Sequence, residues 1–333
     1  MSSGDVSRPD AVTDDDDAFA RMVDGYRGEL RVHCYRMLGS FTEAEDHVQE
    51  TMLRAWRARD TFGGRATLRA WLYRIATNVC LDTLRTHPER IVLVGEVGDP
   101  APSEIPWLQP YPDRLLEPDA LVVARETIEL AYLAAIQLLP ANQRAVLILR
   151  DVLDFSAAQT ADLLDTSVAS VTSALQRARA TLKQHRPGQP DDAWEPAVAP
   201  SGQERELLQR YMDAHARADS NAVVAMMRED VRFTMPPQPT LYEGRTALAG
   251  FFAEALGPQA AGEFRLVETR ANRQPAAANY IRVPGDTRFR AMSLDVLRFE
   301  GGQLAEITTF DTDLFPLFGL PEVLPETDLP ATD

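Results

Sequence analysis

Apolar positions recur at intervals of three and four through residues 18–86, as at Leu30, Cys34, Met37 and Leu38 and again at Val48, Met52, Leu53 and Trp56, with no proline among them. This is the period of a helix with one buried face, and it predicts helices throughout. Gly39-Ser40 and Phe62-Gly63-Gly64 interrupt it, so the helices fold back into a compact bundle. The pattern stops at His87-Pro88. Residues 87–119 carry seven prolines and many acids, which predicts an extended linker. Helical spacing returns over 120–186, and a second Pro-rich acidic break fills 187–202. Beyond it the pattern changes in kind. Leu207, Leu208, Tyr211, Met212 and His215 mark one helix face, and Val223, Val224, Met226 and Met227 another. Residues 263–270, 279–283, 288–299 and 303–311 read as strands, the third closing on the turn Glu300-Gly301-Gly302. The expected fold is multidomain: two all-α units at 18–86 and 120–186, then an α+β unit at 203–320, with a disordered arm at 1–17 and a tail at 321–333.

Composition narrows the classes. A chain of 333 residues with 45% hydrophobic and 25% charged residues fits two or three folded units. No apolar run is long enough to cross a bilayer, and the acidic cluster Asp14 to Asp17 replaces the apolar stretch of a secretory signal. Cys34 and Cys80 sit in helix-like patterns without ligand spacing, so both are expected to be buried apolar residues, with no metal, no cofactor and a cytoplasmic setting. A net charge of −16 excludes coating nucleic acid by bulk attraction. DNA binding therefore requires a local basic surface. Lys183 is the only lysine, so the arginine content reflects coding bias before phosphate recognition.

The segment Ser156 to Lys183 carries such a surface. Ser156 can cap a short helix with Ala157, Thr160, Ala161 and Leu164 inward; Asp165-Thr166-Ser167 makes a turn, and Ser167 caps a second helix whose buried stripe is Val168, Val171, Leu175, Ala178 and Leu182. Ala169, Ser170, Thr172, Ser173, Gln176, Arg177, Arg179 and Lys183 remain outside. Small polar residues let a helix enter a major groove and meet base edges, while the cations position it on phosphates.

Two further strings extend this reading. Ala44-Glu45-Asp46-His47-Val48-Gln49-Glu50-Thr51-Met52-Leu53-Arg54-Ala55-Trp56, with Phe62-Gly63-Gly64-Arg65 and Leu68-Arg69-Ala70-Trp71-Leu72-Tyr73-Arg74-Ile75-Ala76-Thr77-Asn78, resembles region 2 of extracytoplasmic-function sigma-70-type factors. Residues 120–183, led by Leu139-Pro140-Ala141-Asn142-Gln143-Arg144-Ala145-Val146, resemble region 4 of the same group. The resemblance implies two partners, core RNA polymerase (the clamp helices of its largest subunits, and its flap) and promoter DNA. It implies that Asp46, Gln49, Glu50 and Arg54 face polymerase, that Arg65, Arg69, Tyr73, Arg74, Asn78 and Arg85 face the −10 element, and that Ser167 with the outward residues of the second helix face the −35 element. An opened strand needs aromatic surface for its bases and cations for its backbone. Trp71 and Tyr73 cannot share one helix face; Trp71 with Leu72, Ile75 and Val79 is assigned to the core and Tyr73 to the strand. His33 and His47 are expected at the surface or in caps. By the same resemblance the linker threads toward a basic channel, where Glu96, Asp99, Glu104, Asp113, Glu117 and Asp119 are attracted. Its Trp107, Leu108, Tyr111 and Leu115 are too apolar for a plain tether, and we expect them to dock on a folded unit.

Residues 203–320 resemble the SnoaL-like branch of the NTF2-like fold, a curved sheet around a conical pocket. Tyr211, His215, Asp230, Tyr242 and Asp295 are the polar candidates for such a pocket, but no spacing establishes an acid–base site. The resemblance implies a regulatory unit that contacts regions 2 and 4 in cis, within a chain that is monomeric when free and not an enzyme. Two other classes stay open: a ligand-controlled helix-turn-helix regulator acting without polymerase, and a small-molecule enzyme with a DNA-binding appendage.

Overall fold

The computed structural model describes residues 14–62, 67–87, 105–116, 128–185, 201–258 and 260–325. The first helical unit comprises α1 (Asp14–Asp24), α2 (Arg27–Leu38), α3 (Phe41–Arg57) and α4 (Leu68–Thr86). Its first helix begins at Asp14, inside the stretch expected to be a disordered arm. Ser40 accepts from the backbone N–H of Glu43 and Thr67 from that of Ala70, capping α3 and α4. Gly39 ends α2 at φ +74°, and a side chain there would also press on Gln137, whose Cδ lies 3.1 Å from the position a Cβ would take. Leu30, Cys34, Met37, Leu38, Leu72, Ala76 and Cys80 are buried where α2 packs on α3 and α4.

The second helical unit comprises α5 (Leu130–Gln137), α6 (Ala141–Leu147), α7 (Ala157–Leu163) and α8 (Val168–His185), with a π turn over Ile148–Val152. Ser156 and Gln159 form a reciprocal capping box at the start of α7, and Ser167 accepts from the backbone N–H of Ser170 at the start of α8. Asp165 turns the chain between them at φ +51°. The inward stripe of α8 is Val171, Ala174, Leu175, Ala178 and Leu182; Val168, expected in that stripe, is exposed. On α7, Leu163 is buried and Leu164 only half-buried.

The third unit holds α9 (Gly202–Ala216), α10 (Ser220–Ala225), β1 (Met227–Met235), β2 (Gln238–Glu243), α11 (Arg245–Ala255), β3 (Glu263–Ala271), β4 (Gln274–Arg282), β5 (Arg290–Glu300), β6 (Gln303–Phe310) and a short α12 (Phe315–Phe318). The six strands follow the order β2-β1-β6-β5-β4-β3, with β1 and β6 parallel and the remaining pairs antiparallel. Two strands, β1 and β2, were not expected, and β4 starts at Gln274, five residues earlier than the sequence suggested. Its Ala276-Ala277-Ala278 run is buried on both faces, where small side chains let other elements approach closely.

One face of the sheet, with α9, α10 and α11, encloses a core around Leu208, Tyr211, Val223, Leu248, Phe252, Ala277, Leu297 and Ile307. The opposite face, with Ala276, Ala278, Tyr280, Leu294 and Val296, joins one continuous apolar core with α12, residues 105–116 and both helical units. The sheet is therefore sandwiched between its own helices and the rest of the chain.

Residues 105–116 are the mortar of that contact, which corrects the expectation of an extended linker along this part. The Tyr111 ring meets those of Tyr35 and Phe41 edge-on at 5.2 and 5.0 Å. Gln109 donates its N–H to the carbonyl of Gly39, and its Oε1 accepts from Ser40 Oγ, Thr42 N and Thr42 Oγ1 at 2.9–3.0 Å. Pro112 bridges to Ala271 on β3, and Arg114 donates to the carbonyls of Pro316 and Leu317. Leu108 is buried, whereas Trp107 and Leu115 are half-buried against the same core. Beyond the strands, Ala291 N donates to Glu322 O and Leu324 N to Phe289 O, so residues 321–325 pair along β5 and do not trail as a tail.

Candidate functional site

The outward face of α3 presents Asp46, Gln49 and, 51% exposed, Leu53. The helical period places these three together, opposite the buried Ala44, Val48, Thr51 and Ala55. Sequence periodicity had assigned Leu53 to the core beside Met52. Only Met52 packs, and with Phe19, Val23 and Trp56 it lines a groove of about 350 Å³ between α1 and α3. At the edge of this face Arg54 pairs with Glu50 at 2.7 Å and Asp82 at 3.2 Å, and Arg85 with the same Asp82, joining α3 to α4. The hydrogen bond that Arg54 donates to Glu50, ahead of the one it donates to Asp82, holds its guanidinium above its ordinary pKa.

Of the residues expected to face an opened strand, Arg74 and Asn78 are exposed on α4 and Arg85 at its end. Arg65 lies outside the described residues. Tyr73 reverses its expected position: it is fully buried, donating its hydroxyl to Glu29 Oε2 at 3.2 Å and meeting Phe155 of the second unit edge-on at 5.6 Å. Trp71, assigned to the core, is half-buried among Phe19 and Phe62. Arg69 is drawn into the same seam, pairing with Glu29 at 3.0 Å.

The histidines also differ from expectation. His33 is fully buried, and its Nε2 lies 2.9 Å from Thr77 Oγ1. Because that hydroxyl gives its proton to the Tyr73 carbonyl, Nε2–H must be the donor, and Nδ1 has no partner among the described residues. Burial, reinforced by Arg36 and Arg69, lowers the His33 pKa to about 3. The ring is neutral when folded, whereas the unfolded chain takes up a proton below about 6.5. The unfolded state binds more protons in this window, so stability is full above pH 6.5 and falls as pH drops toward 3, by about 1.4 kcal/mol per unit from this group. Urea melts between pH 7 and pH 4.5 should show this slope, reduced in His33→Asn; equal slopes would remove His33 as the cause. His47, half-buried in the middle of α3, bridges Glu43 O of its own helix and Thr83 Oγ1 of α4 within the bundle, and caps neither helix.

On α8 the whole expected set is exposed: Ala169, Ser170, Thr172, Ser173, Gln176, Arg177, Arg179 and Lys183, with Ser167 before them. Arg179 is not free, since Asp151 of the π turn grips it through Nε and Nη2 at 2.9 and 2.7 Å. Nothing in the sequence pattern pointed to that fork.

Within the third unit, Tyr211 donates to Asp295 Oδ2 at 2.9 Å, Thr309 donates to its Oδ1 at 2.7 Å, and the His215 ring lies 4.2 Å from that of Tyr211, tilted by 47°. Burial and the charge of Asp295 push the Tyr211 hydroxyl well above its usual range, and burial lowers the pKa of His215. Asp230 does not join them; it is exposed and forked to Arg228. Tyr242 packs its ring against Phe251 and Phe233. Three of the five pocket candidates converge and two do not. Among the described residues no cluster of acidic, histidine or cysteine side chains could hold a metal ion, and no helix is long and apolar enough to cross a membrane.

The residues that join the units escaped sequence reading. Asn272, at φ +56° in the β3–β4 turn and fully buried, donates through Nδ2 to Tyr35 Oη at 2.8 Å and Ile128 O at 2.6 Å. Its Oδ1 accepts from Tyr111 N at 2.8 Å, and its own N–H donates to Tyr111 O. Beside it, Gln274 accepts from Leu130 N and Asp113 from Arg273 N, with Arg270 3.4 Å away. Burial raises the Asp113 pKa against those two partners. Arg144 is as deeply placed. It donates to Met37 O and Gln137 Oε1 through Nη1, both at 2.5 Å, and to Gln137 O and Leu139 O through Nη2, while Gln137 donates to Arg36 O. Region-to-region contact thus runs through the last carbonyls of α2, where a cation is electrostatically favoured.

Comparison with known proteins places these units. Residues 22–89 match the family Sigma-70 region 2, 129–182 match Sigma-70 region 4, and 208–307 match the SnoaL-like domain. The chain is 40% identical to the ECF RNA polymerase sigma factor SigG of Mycobacterium tuberculosis, over 92% of this chain and 85% of that one. It is 34% identical to the ECF RNA polymerase sigma factor SigW of Bacillus subtilis, over 51% of this chain and 89% of that one. The crystal structure of the M. tuberculosis extracytoplasmic-function sigma factor SigJ shares the fold at a TM-score of 0.60 and 23% identity, covering 91% of this chain and 99% of that one. With both sigma regions in order and a SnoaL-like domain behind them, the chain belongs to the extracytoplasmic-function family of RNA polymerase sigma factors.

Proposed function

We propose that this sigma factor docks on core RNA polymerase with the face of α3 around Asp46, Gln49, Glu50, Leu53 and Arg54. In this reading α4, through Arg69, Arg74, Asn78 and Arg85, and Arg65 in the preceding loop meet the −10 element, while α8 reads the −35 duplex. The third unit holds the two helical units together in cis and gates their use. The observation that carries the reading is a division of surfaces: the faces of α3 and α8 stand open to solvent, while the two regions that must span separated promoter elements are fastened to each other and to the β3–β4 turn. Gating therefore acts on the spacing between regions 2 and 4, and leaves the recognition helix uncovered.

Reconstituted run-off transcription with core enzyme tests it, comparing the full chain with one lacking residues 203–333. Promoter-dependent transcripts are expected from both, in different amounts; equal amounts reject cis gating, and none from either rejects the function. Arg177, exposed on α8, is assigned to a phosphate. Arg177→Ala is expected to weaken −35 binding alike across sequences and to reduce the slope of log affinity against log salt by about 1. Holoenzyme titrations on promoter duplex at several salt concentrations measure that slope.

A further inference from the structure

Cys34 and Cys80 have no part in the surfaces assigned to polymerase and promoter, yet the fold sets them side by side. Both are free and fully buried, Cys34 on α2 and Cys80 on α4. The register of these two helices is fixed by His33 Nε2 on Thr77 Oγ1 at 2.9 Å and by the Tyr73 hydroxyl on Glu29. Cys34 follows His33 directly and Cys80 lies on the helical turn after Thr77, so the two thiols meet inside the bundle. The Cys80 thiol is held protonated, its pKa raised by burial and then by the Cys34 thiol beside it. Region 4 closes over this place. Arg144 of α6 donates to Met37 O, on the turn after Cys34, and its charge reaches Cys80.

Two adjacent thiols close to a disulfide under mild oxidants, whereas a thiol sealed from water and protonated is inert. We propose that Cys34 and Cys80 form an oxidation site for hydrogen peroxide, shielded while Arg144 holds region 4 on α2 and converted to a disulfide once it lets go. One thiol, deprotonated, attacks a peroxide oxygen; the O–O bond breaks, and the departing hydroxide takes up the proton that the thiol lost, leaving a sulfenic acid and water. The second thiol attacks that sulfur, an S–S bond forms, and the sulfenic oxygen leaves as a second water. The two thiols together lose two electrons, and one peroxide is reduced to two waters. Bond formation draws the sulfurs from contact to covalent distance, which moves α2 against α4. Arg36 and Met37, whose carbonyls accept from Gln137 and Arg144, lie on that stretch of α2, so the oxidised bundle no longer presents the acceptors on which region 4 closes. Oxidation thus latches the chain open. That consequence rests on the gating reading, whereas the thiol chemistry does not.

Peptide mapping by mass spectrometry tests it, on the full-length chain treated with hydrogen peroxide and then alkylated at its remaining thiols. A peptide pair linked through Cys34 and Cys80, two hydrogens lighter than the sum of its parts, is expected to form slowly in the parent chain and at least tenfold faster in Arg144→Ala. No linked pair in either chain, or equal rates in both, overturns the proposal. Where Arg144→Ala does not fold, Arg144→Gln, which keeps a neutral hydrogen-bonding side chain, decides by the same comparison. Small-angle scattering reads the latch. The linked parent chain should show a larger radius that dithiothreitol reverses, and Cys80→Ala treated alike should show neither change; an unchanged radius in the linked chain overturns the latch. Run-off transcription by the reduced chain, with and without residues 203–333, is scored separately, so failure of the gating reading is distinguished from failure of the thiol pair.

Discussion

Asn272→Ala is expected to open the chain. Its side chain serves Tyr111 N, Tyr35 Oη and Ile128 O, groups from the linker, region 2 and the approach to region 4. Truncation leaves a buried N–H and a buried carbonyl without partners, at about 1–3 kcal/mol each. Alanine at φ +56° adds roughly 1 kcal/mol of backbone strain. A total of about 3–7 kcal/mol shifts a closed-to-open equilibrium at least a hundredfold. Small-angle scattering should report a larger radius, and trypsin should cleave between the regions faster than in the parent chain. Asn272→Gly loses the same bonds without the strain, so the difference between the two variants isolates the backbone contribution. An unchanged scattering curve for both would show that the turn fastens nothing.

Arg144→Ala should separate regions 2 and 4 even while the β3–β4 turn is intact. The guanidinium makes four hydrogen bonds to buried oxygens, among them a carbonyl in the last turn of α2. Charge-assisted bonds of this kind contribute about 1.5–3 kcal/mol each when taken singly, and their sum is reduced by relaxation, so about 3–5 kcal/mol is the expected cost. Amide exchange at the end of α2, from Arg36 to Ser40, is the discriminating measurement. It should accelerate in Arg144→Ala and much less in Asn272→Ala; the reverse order would place the fastening elsewhere. The double variant is expected to depart from additivity, because both residues act through α2.

How much of this was legible beforehand depends on the reach of each signal. Helical periodicity is local, and it located the two helical units and the cap residues Ser156 and Ser167, whose partners lie three residues away. It could not decide between adjacent apolar residues, so Leu53 was placed inside with Met52, and Val168 inside with Val171. Tyr73 was misplaced for a different reason. Its burial involves Phe155, a residue of another unit, and no pattern within α4 encodes that. The Ala276-Ala277-Ala278 run lacks the branched side chains that mark strands, because the sheet there is covered on both faces. In the third unit, Tyr211 and Asp295 were named from residue type alone, and the same reasoning wrongly included Asp230, whose partner is the neighbouring Arg228. Asn272 left no trace, and Arg144 stood only as one letter of the region 4 lead-in, with nothing to mark either as a fastener. Their bonds cross as many as 237 and 107 positions, and in the sequence each is an ordinary turn or helix residue.

The position of Asn272 also sets a timetable. A ribosome makes regions 2 and 4 first, and α8 is complete at residue 185, 87 residues before the turn that fastens them. At about 5–20 residues per second, the nascent sigma regions exist for roughly 4–17 s without their clasp. During that interval regions 2 and 4 are joined by their own contacts alone, those of Arg144 and of Tyr73 with Phe155, and on the gating proposed above each molecule is best placed to meet polymerase before its synthesis ends.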